Sequence, residues 1–207
     1  MLHLRVFTVV CFCIAMLAGC ATAPPANPED LCAIFKEKDG WFEDWYEDAK
    51  DAENRWEIPI PVMMSTMYQE SKFRAKAKPP RRKILWIIPW KRPSSAYGYA
   101  QVLDSTWDVY RDDTGHGMAD RDEFDDAIDF VGWYHDRSAR QLGIPRGDAY
   151  KLYLAYHEGH GGYARGTFRK KSWLLDVAKK VDGRAKTYGT QLAKCRDELD
   201  GPWWWPF

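Results

Sequence analysis

Apolar positions along most of this chain recur at the spacing of a helix, and turn residues punctuate them. After Ile60-Pro61 the residues Val62, Met63, Thr66, Met67 and Phe73 line one face, which predicts a helix with Glu70 near its end. Phe124, Ile128, Val131 and His135 repeat the pattern inside a helix over 122–142 that Gly143 closes. Tyr150 to Tyr156 reads as another helix, ended by Gly159, and a last long helix covers Trp173 to about Leu199. Asp104-Ser105-Thr106 offers a cap for a helix through Trp107 and Tyr110, and a Gly-rich loop, Thr114–Met118, follows. Near the start, Asn27 and Pro28 suit the first turn of a helix running through Trp41 and Trp45 toward Arg55, with Gly40 as a breaker in its middle. No run suits a regular strand and no fixed-period repeat is visible, so the class is mainly α.

Two stretches break this pattern. Val6 to Leu17 is almost wholly apolar behind Arg5, too short to span a bilayer comfortably, and fits a secretory leader. It runs into Leu17-Ala18-Gly19-Cys20, which resembles the lipobox of bacterial lipoproteins. That resemblance implies cleavage after residue 19, lipid on the Cys20 sulfur and firm attachment to a membrane. Ala21, where an Asp is absent, resembles the outer-membrane destination, so the protein is expected to face the periplasm there. Residues 20–28, small and Pro-rich, then form a tether, and 29–207 form one domain. The second irregular stretch is 79–92. It is basic at Arg81-Arg82-Lys83, apolar from Ile84 to Trp90, and basic again at Lys91-Arg92, an excursion rather than a core element.

Composition narrows the function. At 207 residues with 45% hydrophobic content there is material for one packed domain. Thirty basic and thirty acidic residues cancel, whereas a protein that neutralises phosphates carries a basic excess, so nucleic acid is not an expected partner. Of five cysteines, Cys11 and Cys13 leave with the leader and Cys20 is lipidated. Cys32 and Cys195 remain as an even pair in an oxidising compartment, which favours a disulfide worth ~4 kcal/mol in the chain-entropy view; two free thiols are the alternative.

Three blocks carry the chemistry. They are Met67-Tyr68-Gln69-Glu70-Ser71; then Ser95-Ala96-Tyr97-Gly98-Tyr99-Ala100-Gln101 with Ser105-Thr106-Trp107; then Leu154-Ala155-Tyr156-His157-Glu158-Gly159. In this order they resemble the lytic transglycosylase SLT domain over about residues 58–165. The resemblance implies a lysozyme-like fold that cleaves the MurNAc–GlcNAc bond of peptidoglycan without water. It also implies that Glu70 acts as acid and then base, that Ser71 and Gln101 touch the glycan, that Gly98 lets backbone approach it, and that Tyr156 hydrogen-bonds at the reacting centre. It implies no cofactor and no metal. For Gly98 a turn, for Gln101 a cap and for Tyr156 a packed aromatic are the structural alternatives.

The residues themselves support Glu70 as the acid. A carboxyl that ends an apolar helical face is desolvated by Met and Tyr neighbours, which raises its pKa and keeps it protonated near neutrality. The chain departs from the family pattern in three places: His157 stands for the usual Asn, Ser95 for a Gly, and the gap from Glu70 to Gln101 is longer by the 79–92 excursion. The sequence His157-Glu158-Gly159-His160 lacks the spacing of a metal-binding His pair. A wall-binding module without activity and a hydrolase of the same fold are the competing functions. A partner in the envelope machinery is left unidentified.

Overall fold

The computed structural model describes residues 23–40, 43–80, 83–84, 88–89 and 94–201, with 83–84 and 88–89 as backbone alone. The leader, Cys20, Trp41 and the Trp203–Trp205 run lie outside the described residues, as does most of the 79–92 excursion. Seven helices build the described part: α1 (Leu31–Glu37), α2 (Trp45–Trp56), α3 (Ile60–Ser71), α4 (Asp104–Thr114), α5 (Phe124–Leu142), α6 (Ala149–Ala164) and α7 (Ser172–Leu199). A 3-10 turn at Thr167–Lys170 joins α6 to α7. Two short strands, β1 (Lys83–Ile84) and β2 (Ile88–Pro89), pair antiparallel between α3 and α4. The described residues are mainly helical, as the spacing of apolar positions predicts.

The helix α3 sits at the centre, packed against α2, α5, α6 and α7. Its composition explains this position, since Met63, Met64 and Met67 are fully buried and even its polar Ser65 and Thr66 face inward. A helix that is apolar nearly all round is stable only where other elements cover it on every side. Thr66 Oγ1 lies 3.0 Å from His135 Nε2 on α5, so these two buried polar groups meet each other. Burial pushes the His135 imidazole down to about 3, a neutral core histidine.

The expected first helix is two helices. Asp30 caps α1 by accepting from Ala33 N at 3.1 Å, and Asp44 caps α2 by accepting from Glu47 N at 3.1 Å. Two N-caps separated by Gly40 end one helix and restart another, and the start lies at Leu31 rather than beside Asn27. The helix α4, by contrast, has no side-chain cap of its own, because Leu103 holds the N-cap position and Asp104 is already the first helical residue, with its N–H donated to Ser95 Oγ at 3.1 Å. The free tether is also shorter than expected. Lys38 Nζ donates to Ala23 O at 2.8 Å and Ala26 N donates to Glu37 Oε2 at 2.9 Å, which straps residues 23–26 onto α1.

Both ends of the domain meet at one place. A disulfide joins Cys32 on α1 to Cys195 on α7, with Cα atoms 6.1 Å apart. Lys36–Glu198 ties the same two helices at 2.8 Å, and Lys50–Asp200, also at 2.8 Å, ties α2 to the residue that follows α7.

Candidate active site

The chain leaves α3 abruptly. Lys72 (φ 58°) and Phe73 (φ 55°) are both left-handed, a conformation that costs an L-residue about 1–2 kcal/mol. The Phe73 ring offsets this cost, being fully buried against Trp45 and Tyr68 with centroids 5.8 Å away in each case. Trp45 in turn stacks on Phe124 at 3.9 Å and meets Tyr99 edge-on at 5.7 Å. This aromatic cluster fixes the end of α3, and with it Glu70, relative to the loop that holds Gly98 and Gln101.

Glu70 lines an open cavity of about 510 Å³ together with Ser94, Gln101, Val102, Leu103, Thr106, Phe130, Tyr134, Tyr156, His157, Glu158 and Gly159. Two other cavities are of similar size, one beside Trp56 and Trp133 and one beside Lys72 and Arg184, so volume alone does not select a site. Chemistry does. The Glu70 carboxyl is crowded by protein except toward the groove, and burial pushes it up to about 7, partly opposed by a hydrogen bond from the Tyr153 hydroxyl. A carboxyl that shares its proton near neutrality is suited to deliver that proton and then take one back.

The second carboxylate of the groove is of the opposite kind. Three hydrogen bonds outweigh desolvation at Glu158 and hold it down at about 2. Lys171 Nζ donates to it at 2.6 Å, Thr167 Oγ1 donates to its other oxygen, and His157 Nδ1 lies 3.2 Å away. Its side chain is only 3% exposed. Glu158 is therefore an ionised clamp between α6, the 3-10 turn and α7, with little capacity left to activate a water.

The residues expected to surround Glu70 divide. Gln101 and Tyr156 line the groove with it, and Thr106 of the same block does too. Gln101 is left-handed at φ 49°, and its Nε2 donates to Ala77 O at 2.9 Å and Gly98 O at 2.8 Å, so one end of the amide braces the rim. The Tyr156 hydroxyl donates to Ala100 O at 2.7 Å, which fixes its ring as a wall. Ser71 is fully buried, with its hydroxyl on Met67 O at 3.3 Å, and does not line the groove. Gly98 (φ 79°) lets backbone approach backbone: a Cβ there would stand 1.9 Å from Arg121 O. Neither Ser71 nor Gly98 is among the residues that line the cavity.

Tyr153, the hydroxyl partner of Glu70, has no place among the sequence-expected site residues. The signal was available, since Tyr153 precedes Tyr156 by three positions and so shares its helix face. The helix expected to end at Gly159 continues past it to Ala164 with a kink, Gly159 alone being non-helical at φ 72° and ψ 157°. His157 and His160 diverge across that kink: His160 stacks on Tyr134 at 4.7 Å, and its Nε2 lies 2.9 Å from Ser138 Oγ.

Compared with known proteins, the sequence matches the family described as transglycosylase SLT domain over residues 8–195. No curated protein matches it.

Proposed function

The chain belongs to the transglycosylase SLT-domain family, and from that premise we propose that it cleaves the glycan strands of peptidoglycan between MurNAc and GlcNAc, with Glu70 as the single acid–base group. In the first step the Glu70 carboxyl gives its proton to the glycosidic oxygen, and the bond from that oxygen to the muramyl C1 breaks. In the second the muramyl 6-hydroxyl oxygen bonds to C1, and its proton goes to the Glu70 carboxylate. The products are a free GlcNAc hydroxyl and a 1,6-anhydromuramyl end. No water is consumed, and Glu70 finishes protonated as it began.

The observation that carries this reading is the Glu70 carboxyl, held at about 7 where it lines the groove. Its partner Tyr153 supports the first half of the cycle, because a hydroxyl that donates to the carboxylate stabilises the charge left by the first proton transfer. The clamp on Glu158 favours transglycosylation over hydrolysis, since a water-activating base needs a carboxylate with free lone pairs.

Digestion of purified sacculi followed by mass spectrometry tests this reading. Anhydro products lighter by one water than hydrolytic fragments are expected from the native enzyme, and at least ~10²-fold less turnover from Glu70→Gln. Fragments carrying added water would make it a hydrolase, and glycan binding without cleavage would make it a wall-binding module.

Cys20, lipidated in the outer membrane and facing the periplasm, is the proposed point of attachment. With residues 23–26 strapped to α1, only 20–22 would bridge lipid and domain, a reach of roughly 10 Å. Loss of palmitate labelling and of membrane partition in Cys20→Ala is the expected result, and equal labelling of both proteins would refute it.

A further inference from the structure

Resting on the glycan-cleaving function above, we infer that Trp173 and His157 form a stacking platform that adds one more sugar-binding position to the groove, past the Gly159 kink. Trp173 is 55% exposed and is the aromatic residue among the large exposed apolar side chains of the described residues. Its ring meets that of His157 edge-on at 5.1 Å and 77°, and His157 itself lines the groove. The indole thus continues the groove wall on its far side. An open aromatic face beside a carbohydrate cleft fits the C–H face of a pyranose ring, which it covers while the sugar hydroxyls stay in water.

The platform is rigid before any ligand arrives. The Glu158 carboxylate holds His157 through Nδ1 and holds Lys171 at 2.6 Å, and Lys171 immediately precedes α7, two positions before Trp173. One buried clamp therefore orients both rings. Because a carboxylate only accepts, Nδ1 carries its hydrogen toward Glu158, and Nε2 is left for a glycan hydroxyl. This assigns a role to His157, the residue that departs from the family pattern. It stands in a wall built jointly with α7.

Titration calorimetry with the mature chain carrying Glu70→Gln, so that ligand survives, tests this with soluble peptidoglycan oligosaccharides of increasing length. Adding Trp173→Ala is expected to weaken binding of long oligosaccharides roughly tenfold, the size of one aromatic contact of about 1.4 kcal/mol, and to leave the shortest bound ligand unaffected. Trp173→Phe is expected to retain most of the affinity. His157→Ala provides a second route and is expected to show the same length dependence. Equal affinity of Trp173→Ala and parent at every length, with both folded by circular dichroism, overturns the platform and leaves the function standing. A parent that binds no oligosaccharide of any length overturns both.

Discussion

The hydroxyl of Tyr153 donates a hydrogen bond to the carboxylate of Glu70, and this one contact opposes the burial that raises the acid. The balance between the two sets the pH range in which Glu70 can act. Removing the bond with Tyr153→Phe takes away the influence that lowers the Glu70 pKa, so its pKa moves further up. The alkaline fall in activity is then expected at higher pH than in the native enzyme. Turnover should also drop tenfold or more, as a hydrogen bond to a charged group is worth about 1.5–3 kcal/mol. A pH–rate profile on sacculi checks both effects, and an unmoved alkaline limb means that Tyr153 does not control the acid.

Glu70 also leaves a mark on stability. Its folded-state pKa of about 7 lies above the ordinary carboxyl value of 4.5, so the native state holds its proton more tightly than the unfolded chain. Stability is then fullest below pH 4.5 and declines as pH rises from there to about 7. The loss is on the order of 3 kcal/mol and levels off above that range. Glu70→Gln does not ionise and escapes this loss. Denaturant melts at pH 8 should find the variant more stable than the native protein, with the difference shrinking toward pH 4.5. An equal or lower stability at pH 8 would show that Glu70 is not desolvated in solution.

Local pattern and long-range contact differ in how far they can be read from residues. The helix α5 was legible from end to end because Phe124, Ile128, Val131 and His135 mark one buried stripe and Gly143 takes the left-handed position that closes it. Glu70 was legible for the same reason, as the carboxyl at the end of an apolar face. Ser71 does not share the position of Glu70 at the cavity because adjacent residues on a helix point about 100° apart, and the turn that carries Glu70 to the groove carries Ser71 into the core. Gly98 was legible as a backbone requirement, though not its cause, since Arg121 is 23 positions away. The Glu158 clamp was hidden because Thr167 and Lys171 reach it only across the Gly159 kink.

Gly98→Ala isolates the packing of the groove rim. The added methyl would meet the Arg121 backbone, which cannot swing aside as a side chain can, and it would sit at a φ of 79° that L-residues avoid. A loss on the order of 3 kcal/mol is expected. Because Gly98 O and Ala77 O both anchor Gln101 Nε2, the rim should loosen as well and glycan affinity should fall. Chemical denaturation measures the first effect and calorimetry the second. A variant of native stability would mean that the loop and Arg121 are not held together in solution.

Reduction of the Cys32–Cys195 bond frees α1 from the end of α7. The closed loop spans 163 positions, and a bond of that kind stabilises by about 2–5 kcal/mol. Cys32→Ser with Cys195→Ser should therefore melt several degrees lower than the oxidised protein while cleaving sacculi normally below the transition. The disulfide ties α1 to α7, and neither cysteine lines the groove. Unchanged melting on reduction, with both thiols open to alkylation beforehand, would exclude the bond.

The excursion between α3 and α4 offers the sharpest separation of stability from function. Its described backbone is a hairpin, Lys83 opposite Pro89 and Ile84 opposite Ile88, and both of its roots are set at the groove. On the near side, Ala77 O accepts from Gly98 N at 3.1 Å and from Gln101 Nε2. On the far side Ser94 lines the cavity itself. For a segment rooted on that rim, whose sequence holds Trp86, Trp90 and flanking cations, we propose that it borders the glycan or touches a membrane. Replacing residues 81–91 with a short Gly-Ser link should then leave the melting temperature nearly unchanged, because α3, Gly98 and Gln101 keep their own anchors. Product lengths from sacculi, or partition of the protein with vesicles, should change. The opposite result, a loss of several kcal/mol with normal processing by the remaining folded enzyme, would identify the apolar run Ile84–Trp90 as a cover for the core rather than a wall of the groove.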